Sequence, residues 1–376
     1  MMLRVSHSLS VSELALYFLR LGIIGFGGPP AHIALMRTDL VEKRCWLTSE
    51  QFATDLTTAN LLPGPTSTEM AIYIGYRMRG PLGALISGWC FILPAALLVG
   101  LLAWAYVTWG GLSWMQHLLY GVKPVAFALV LHGLLQMVRT TPWTPPHAVI
   151  LLTAFALLQW TAIDVLLIFL LAGMAALPSL RKTTPATLFI SATTITSTSI
   201  VAAPLLSVLW EFLKIGTVIY GGGFALIGVL QQTIVIRLGW LTQQQLLDAI
   251  AVGQSTPGPV FTTATFIGYL VGGASGAALA TIGIFAPAFV FVLAENLLLS
   301  RLKQAPQMRR FLQGVNIAVI ASLVHAAIAL GSSALIDPIA LLLCAAAFGA
   351  LWWKKIDAHW LVGVGVLVGL SRLAIF

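Results

Sequence analysis

The chain has 376 residues, of which 59% are hydrophobic and 9% are charged, and its mean hydropathy is +0.95. Soluble domains are about half apolar and about one quarter charged, so these charges are too few to cover a soluble protein of this length. The composition excludes a soluble enzyme, a disordered protein and a coiled coil. A membrane crossing takes about 20 apolar residues, so the length allows on the order of ten crossings and no large soluble domain.

The net charge is +8, from 20 Lys and Arg against 12 Asp and Glu. Membrane proteins concentrate Lys and Arg in cytoplasmic loops, so we expect no nucleic-acid partner. The three cysteines, Cys45, Cys90 and Cys344, match no zinc or disulfide spacing, and we expect neither a metal nor a cofactor. Because Arg20 interrupts the first apolar stretch and no small-residue cleavage site follows, we expect no removable signal peptide.

The predicted elements are apolar segments that fall into two series. In chain order, the first series covers 14–36, 50–76, 81–107, 115–138 and 146–177. The second series covers 208–230, 243–269, 274–299, 308–331 and 338–371. Neither series shows the alternating pattern of a membrane β-barrel, so we predict an all-α polytopic membrane protein.

The two series are copies of one unit. Pro63–Pro65 recurs as Pro257–Pro259, 194 residues later, and His132 recurs as His325, 193 residues later. Equivalent pairs run through nearly the whole chain, which chance does not produce, and an internal repeat of this kind defines the architecture. We predict a first transmembrane repeat, a linker and a second transmembrane repeat over 14–178, 179–207 and 208–371.

The loop charges predict opposite orientations for the two repeats. The first copy carries a cluster of cations from Arg37 to Arg79, where the second copy has only Arg237. The second copy carries cations from Arg301 to Arg310, where the first has none. Since positive loops stay on the cytoplasmic side, we predict inverted-topology repeats, an architecture shared by many secondary transporters. A parallel repeat with drifting loops is the alternative.

Breaks at matching places in the two copies mark a candidate binding site, because irregular backbone in lipid must line a cavity or be buried in protein. The first break is glycine-rich. The second is Pro-Gly-Pro, which ends one half-helix and starts another, so we predict broken, re-entrant helices there. Half-helix N-termini with hydroxyls nearby attract anions, whereas simple kinks and tight glycine packing are the alternatives. The predicted anion-binding residues are Gly27, Gly28, Pro63, Gly64, Pro65, Thr66, Ser67, Gly221, Gly222, Pro257, Gly258, Pro259 and Thr262.

Cations at membrane depth are the second group of candidates. Arg20 and Lys214 are equivalent residues just before the glycine-rich breaks, and Lys123 lies within an apolar segment. We predict that all three contact the anion, with snorkelling to the interface as the alternative.

Two further residues are candidates for proton coupling. Glu69 follows the first Pro-Gly-Pro by four residues, and an ion pair with Arg77 or Arg79 is its alternative role. His32 follows the first glycine-rich break, although a lone histidine in a bundle is more often simply hydrogen-bonded.

The motifs at these breaks resemble those of a known family. Residues 25–32 read Gly-Phe-Gly-Gly-Pro-Pro-Ala-His and residues 62–65 read Leu-Pro-Gly-Pro. The second copy answers with Tyr-Gly-Gly-Gly and Thr-Pro-Gly-Pro. This combination is similar to that of the chromate ion transporter (CHR) family and covers nearly the whole chain, as in its long two-domain members. The resemblance implies a multi-pass inner-membrane protein, with halves of opposite orientation, that exports chromate and confers chromate resistance.

Substrate and mechanism stay open at this point. Chromate or sulfate, both tetrahedral oxyanions, and the lipid bilayer are the expected partners, and a homodimer is a further alternative. No ATP-binding P-loop motif occurs, so a gradient, the membrane potential or exchange must drive transport by alternating access. Uptake or exchange of sulfate or another anion, a passive channel and an intramembrane enzyme are the rival functions. We expect no enzyme, because the zinc-protease and serine-hydrolase motifs are missing.

Overall fold

The computed structural model describes residues 10–60, 62–177, 205–219, 222–294, 306–354 and 356–373. These residues form fourteen α-helices and no strand, which confirms the predicted all-α class. The first half comprises α1 Val11–Ile24, α2 Gly28–Arg37, α3 Ser49–Ala59, α4 Thr66–Trp109, α5 Ser113–Thr140, α6 Pro145–Trp160 and α7 Val165–Ala175. The second half comprises α8 Leu205–Val218, α9 Gly223–Leu230, α10 Gln243–Ser255, α11 Thr263–Ala294, α12 Pro306–Ala334, α13 Pro338–Gly349 and α14 Ala358–Leu373. The predicted linker lies outside the described residues except for its last three, which begin α8.

The two halves repeat one another down to backbone torsions. Helix α4 is interrupted at Arg79 (φ −142°, ψ 20°) and Gly80 (φ 63°, ψ −152°). Helix α11 is interrupted at Gly272 (φ −142°, ψ 23°) and Gly273 (φ 62°, ψ −153°). Positions 193 residues apart therefore share one unusual geometry, which confirms the internal repeat.

Each interruption reverses the chain, so α4 and α11 are helical hairpins. In α4, the Ser87 hydroxyl donates to the Ala71 carbonyl at 2.7 Å. A Cβ atom added to Gly83 would lie 2.1 Å from the Gly75 carbonyl oxygen, so the two legs touch backbone to backbone. The first leg, 66–78, is about 20 Å long at 1.5 Å per residue, which is shorter than the hydrocarbon thickness of about 30 Å.

A second hairpin has Pro-Gly-Pro at its tip. Asp55 of α3 bonds Arg77 of α4, with 2.9 Å between Oδ2 and Nε, across Pro63–Pro65. In the second half, a Cβ atom on Gly253 of α10 would lie 1.9 Å from Thr263 Oγ1 of α11. The legs on either side of each Pro-Gly-Pro are therefore antiparallel half-helices, which confirms the predicted re-entrant breaks.

These breaks limit the number of full-length helices. Among the described helices, a stretch long and apolar enough to cross a membrane occurs in four ranges, namely Thr66–Trp109, Ser113–Thr140, Val260–Ala294 and Gln307–Ala334. The shorter apolar helices have 10–17 residues. The ten apolar segments of the sequence are thus not ten unbroken crossings, because several are divided into half-length helices.

The halves are interlocked by exchanged helix pairs. Helix α5 packs against α13 and α14, and α12 packs against α6 and α7. A Cβ atom on Gly121 would lie 1.9 Å from the Gly365 carbonyl oxygen, and one on Gly314 would lie 2.3 Å from that of Ala172. Gly314 is the equivalent of Gly121, and Gly365 is the equivalent of Ala172, each 193 residues later in the chain. The two contacts are therefore copies of each other, and a pseudo-twofold axis relates the halves. The opposite orientation of the halves in a membrane stays a prediction.

The backbone contact within α4 predicts a stability effect. We expect Gly83→Val to lower the midpoint of thermal unfolding by roughly 1–4 °C, because overpacking costs about 1–3 kcal/mol and the unfolding entropy of so long a chain is large. Size-exclusion chromatography of heated samples measures this midpoint. Gly363→Val of α14 is the matched control, since no atom lies within 4 Å of its Cβ position. An equal loss in both variants would contradict the hairpin.

Candidate functional site

The tip of the second re-entrant hairpin lies against the glycine-rich break of the first half. The Gly258 amide donates to the Gly25 carbonyl at 2.7 Å. A Cβ atom on Gly258 would lie 2.6 Å from Ala95 Cβ and 3.2 Å from the Gly22 carbonyl oxygen. With φ at +88°, this position requires glycine on both conformational and steric grounds. The break residues of the two halves therefore meet.

Val260, just after this tip, lies between the two glycine-rich breaks. Its side chain is 3.8 Å from the Cβ position of Gly28 and 3.3 Å from that of Gly223. Gly222 precedes α9 with φ at +90°, whereas Gly221 lies outside the described residues. The structure thus brings three of the four predicted break elements together, although anion binding by them stays a prediction.

The first tip contacts the second half and is occupied by a carboxylate. A Cβ atom on Gly64 would lie 2.5 Å from Glu69 Oε1 and 3.7 Å from Ala288 Cβ. Ala288 is the equivalent of Ala95, so each tip faces the same position on the other half's hairpin. Glu69 is fully buried near Thr66, the first residue of α4, where the helix dipole stabilises negative charge.

The hydroxyls just after the second Pro-Gly-Pro make local hydrogen bonds. Thr262 Oγ1 donates to the Pro259 carbonyl and Thr263 Oγ1 donates to the Val260 carbonyl, each at 2.8 Å. Their protons therefore satisfy backbone acceptors at the start of the half-helix. An anion at this tip would depend chiefly on backbone N–H groups.

The structure does not bring Arg20 or Lys214 to the tips. Arg20 is exposed on α1, two residues and about 200° around the helix from Gly22, which packs at the tip. Lys214, its equivalent, bonds Glu211 with 2.8 Å between Nζ and Oε1. We therefore assign neither to the anion contact at the tips in this conformation.

Lys214 belongs to an ion-pair network that sequence reasoning missed. Arg237 contacts Glu211 Oε2 at 2.6 Å and Asp164 Oδ2 at 2.8 Å. Asp164 also accepts from the Leu166 amide and so caps α7. The network ties the segment after α9 to the first half.

Lys123 faces a buried carboxylate. Its Nζ lies 3.8 Å from Asp248 Oδ2 of α10, and the Tyr106 hydroxyl donates to the same oxygen at 2.9 Å. Asp248 is 2% exposed, and its Oδ1 has no hydrogen-bond partner in the described part of the chain. The sequence did not predict this ion pair, and contact between Lys123 and the anion stays a prediction. A lone carboxylate in the apolar run Leu-Leu-Asp-Ala-Ile was the available signal.

A cavity of about 160 Å³ lies beside this ion pair. It is lined by Gln116, Tyr120 and Lys123 of α5, Gln244 of α10 and Ser333 of α12. The two glutamines are exposed and Lys123 is half-buried, so the glutamines form the mouth and Lys123 the base.

A second ion pair borders the cavity. The Tyr120 hydroxyl donates to Asp337 at 2.6 Å, and Arg372 lies 3.5 Å from the same carboxylate. The Tyr120 hydrogen bond, with the Ala340 amide, holds the pKa of Asp337 below its usual value. Asp337 is thus a paired carboxylate, and Lys123 is the cation of the cavity wall.

His32 and His325 are hydrogen-bonded, which is the alternative role given above for His32. His32 is fully buried and its Nε2 donates to the Gly25 carbonyl at 2.9 Å. His325 Nδ1 lies 2.8 Å from Gln232 Nε2. Proton coupling by His32 or Glu69 stays a prediction.

Comparison with known proteins identifies the family. The family described as "Chromate transporter" matches residues 12–177 and 206–370. The chain belongs to the chromate transporter family. It is 33% identical to a chromate transport protein of Cupriavidus metallidurans, over 96% of this chain and 93% of that protein. It is 32% identical to a probable chromate transport protein of Synechococcus elongatus, over 98% and 97% of the two chains. No solved structure matches the chain.

This membership confirms the resemblance seen in the sequence. With four helices that can span a membrane among the described residues, this member of the chromate transporter family is a multi-pass membrane protein.

In this family member the re-entrant units of the two halves are docked differently. Helices α9 and α10 pack between α5 and α12, whereas α2 and α3 pack chiefly against α4. The Phe224 ring of α9 covers Gly133, and a Cβ atom on Gly228 would lie 2.3 Å from Ser322 Oγ. The α2 equivalent of Gly228 is Ala34, which is exposed. One sequence repeat therefore occupies two conformations in a single structure.

Proposed function

We propose that the chain is a secondary transporter that exports chromate from the cytoplasm across the inner membrane and so confers chromate resistance. Relatives over nearly the full length are named for chromate transport, which supports chromate as the substrate. The unequal docking of the α2–α3 and α9–α10 units carries the mechanism. In inverted-repeat transporters, exchange of the two conformations between the halves opens a central site to each side in turn.

The movement follows from the pseudo-twofold relation. When the α9–α10 unit leaves the groove between α5 and α12, the bond between Gly258 and Gly25 breaks. The α2–α3 unit then takes the equivalent place. Backbone N–H groups after Pro65 and Pro259 hold the anion between the tips.

The driving force is electrical in the simplest case. When a dianion leaves a negative-inside cell, its electrical free energy falls by about 2.3 kcal/mol per charge per 100 mV. Export therefore needs no ATP. The main alternative is a transporter or exchanger of sulfate or another inorganic anion with the same fold, because the two dianions share charge and shape.

Flux into proteoliposomes tests the proposal. With membrane potential and pH gradient set independently, we expect saturable chromate flux that accelerates when the chromate side is negative. Sulfate is added as competitor. Sulfate flux without chromate flux would favour the alternative, flux without saturation would favour a channel, and no flux of either anion would contradict a transporter for these anions.

A further inference from the structure

We propose that the cavity between α5, α10 and α12 is an anion-binding site whose affinity is set by a proton on Asp248. The expected ligand is a tetrahedral dianion, and for this class the inference rests on the proposed function. The site is separate from the Pro-Gly-Pro tips.

The cavity has the donors that an oxyanion needs. Lys123 Nζ offers a positive charge at the base, with its side chain 19% exposed. The amides of Gln116 and Gln244 stand at the mouth, and amide NH₂ groups donate to anion oxygens. An ammonium group binds an oxyanion most strongly when it is partly removed from water.

Asp248 cancels that charge in its ionised form. Oδ2 accepts from Tyr106 and faces Lys123, so both groups stabilise the carboxylate there. Oδ1 has no donor within reach in the described residues although the side chain is 2% exposed. A buried, unpartnered carboxylate oxygen is costly, and Oδ1 is the atom that takes up the proton.

Protonation of Oδ1 couples the binding of the proton to the binding of the dianion. With Asp248 neutral, the charge of Lys123 is uncompensated and attracts the dianion. A bound dianion in turn favours the proton, because linkage between two binding events is reciprocal. The proton comes from water at the cavity mouth, and the O–H bond on Asp248 is the bond that forms.

Other titratable groups on the elements packed against α10 are engaged elsewhere. His325 of α12 bonds Gln232, and His359 of α14 lies against Phe26 and Trp360. Arg237 of the segment after α9 pairs with Glu211 and Asp164. Tyr269 of α11 is partly buried and packs against the apolar core, while Tyr120 of α5 and Arg372 of α14 contact Asp337. Within the described chain, Lys123 and Tyr106 are therefore the groups that bond Asp248.

The site exists in one half only. The equivalent of Lys123 is Asn316, which bonds Thr141, and the equivalent of Asp248 is Thr54, which bonds a backbone carbonyl of its own helix. The ion pair is therefore not a feature that the two copies share. It lies on the groove into which the α9–α10 unit docks.

Sulfate binding to the purified full chain tests the site by calorimetry from about pH 5.5 to about pH 8.5, where sulfate stays a dianion. We expect the affinity of the unchanged protein to rise as the pH falls, by up to about tenfold per pH unit. We expect Asp248→Asn to bind sulfate at every pH with the affinity that the unchanged protein has in acid. Lys123→Met is expected to lose at least about tenfold in affinity in acid.

Tyr106→Phe tests the pH dependence of sulfate affinity, which would not change if Tyr106 had only a structural role. The Tyr106 hydroxyl stabilises ionised Asp248, so its removal should shift the affinity change to higher pH. A wild-type pH profile in Asp248→Asn, or wild-type sulfate affinity in Lys123→Met, would contradict the proposed anion site. Neither result would contradict the proposed chromate transport. Absence of both sulfate binding and chromate flux in the unchanged protein would instead contradict the proposed function.

Discussion

A Gly258→Val variant is expected to fold and insert but to lose about a hundredfold in chromate flux. The added side chain would meet Ala95 and the Gly22 carbonyl at the point where the tip of one half seats on the break of the other. Overpacking of this kind costs about 1–3 kcal/mol, and a residue with φ at +88° adds strain. About 3 kcal/mol corresponds to about 150-fold in the population of a docked state.

Gly239→Val provides the matched control. Gly239 also has a positive φ, +62°, but no atom lies within 4 Å of its Cβ position. Both variants place valine at a positive φ, but only the Gly258 substitution adds a steric conflict. Flux in proteoliposomes, normalised to monodisperse protein, compares the two variants. Equal flux in both would show that the contact between Gly258 and Gly25 has no part in transport.

The breaks were predictable because they depend on local chemistry. Proline ends and starts helices through its own ring, so Pro63 and Pro257 marked the re-entrant tips without any tertiary information. Because the second copy repeats the same motifs, one prediction applied to both halves. Even the interruption at Gly80 was visible as a gap between two apolar segments.

The partners of the charged residues were not predictable in the same way. Lys123 and Asp248 are 125 residues apart and on different halves, so only the packing of α5 against α10 brings them together. The same holds for Arg237 and Asp164. Arg77 bonds Asp55 instead of Glu69, because the antiparallel legs of the hairpin place those two side by side.

The unequal docking of the two units could be read from the sequence only in part. The repeat predicts one conformation for both copies, yet α9 is buried while much of α2 is exposed, and the wholly apolar sequence of α9 was one available signal. The nearest local signal is Gly228 against Ala34, since a glycine permits the close approach to Ser322. A transporter needs both conformations to be accessible to both halves, so the difference reports a state of the cycle.

A disulfide that fixes the docked unit is expected to abolish chromate flux. Phe224 Cγ lies 2.3 Å from the Cβ position of Gly133, and Phe224 Cβ is one bond of about 1.5 Å further. The two Cβ atoms are thus no more than about 3.8 Å apart, the mean disulfide distance. In a background without the three native cysteines, Gly133→Cys with Phe224→Cys should oxidise readily, and a reductant should restore flux.

The equivalent pair in the other half is the matched control and the sharper test. Pro30 and Ala326 correspond to Phe224 and Gly133 through the repeat, but Pro30 is exposed and Ala326 is buried. We expect Pro30→Cys with Ala326→Cys to form no disulfide at rest and to form one during chromate flux, when α2 takes the docked place. Mass spectrometry of the oxidised protein detects either bond. Sustained flux without this bond, or full flux with the first pair oxidised, would exclude exchange of these units as the transport step.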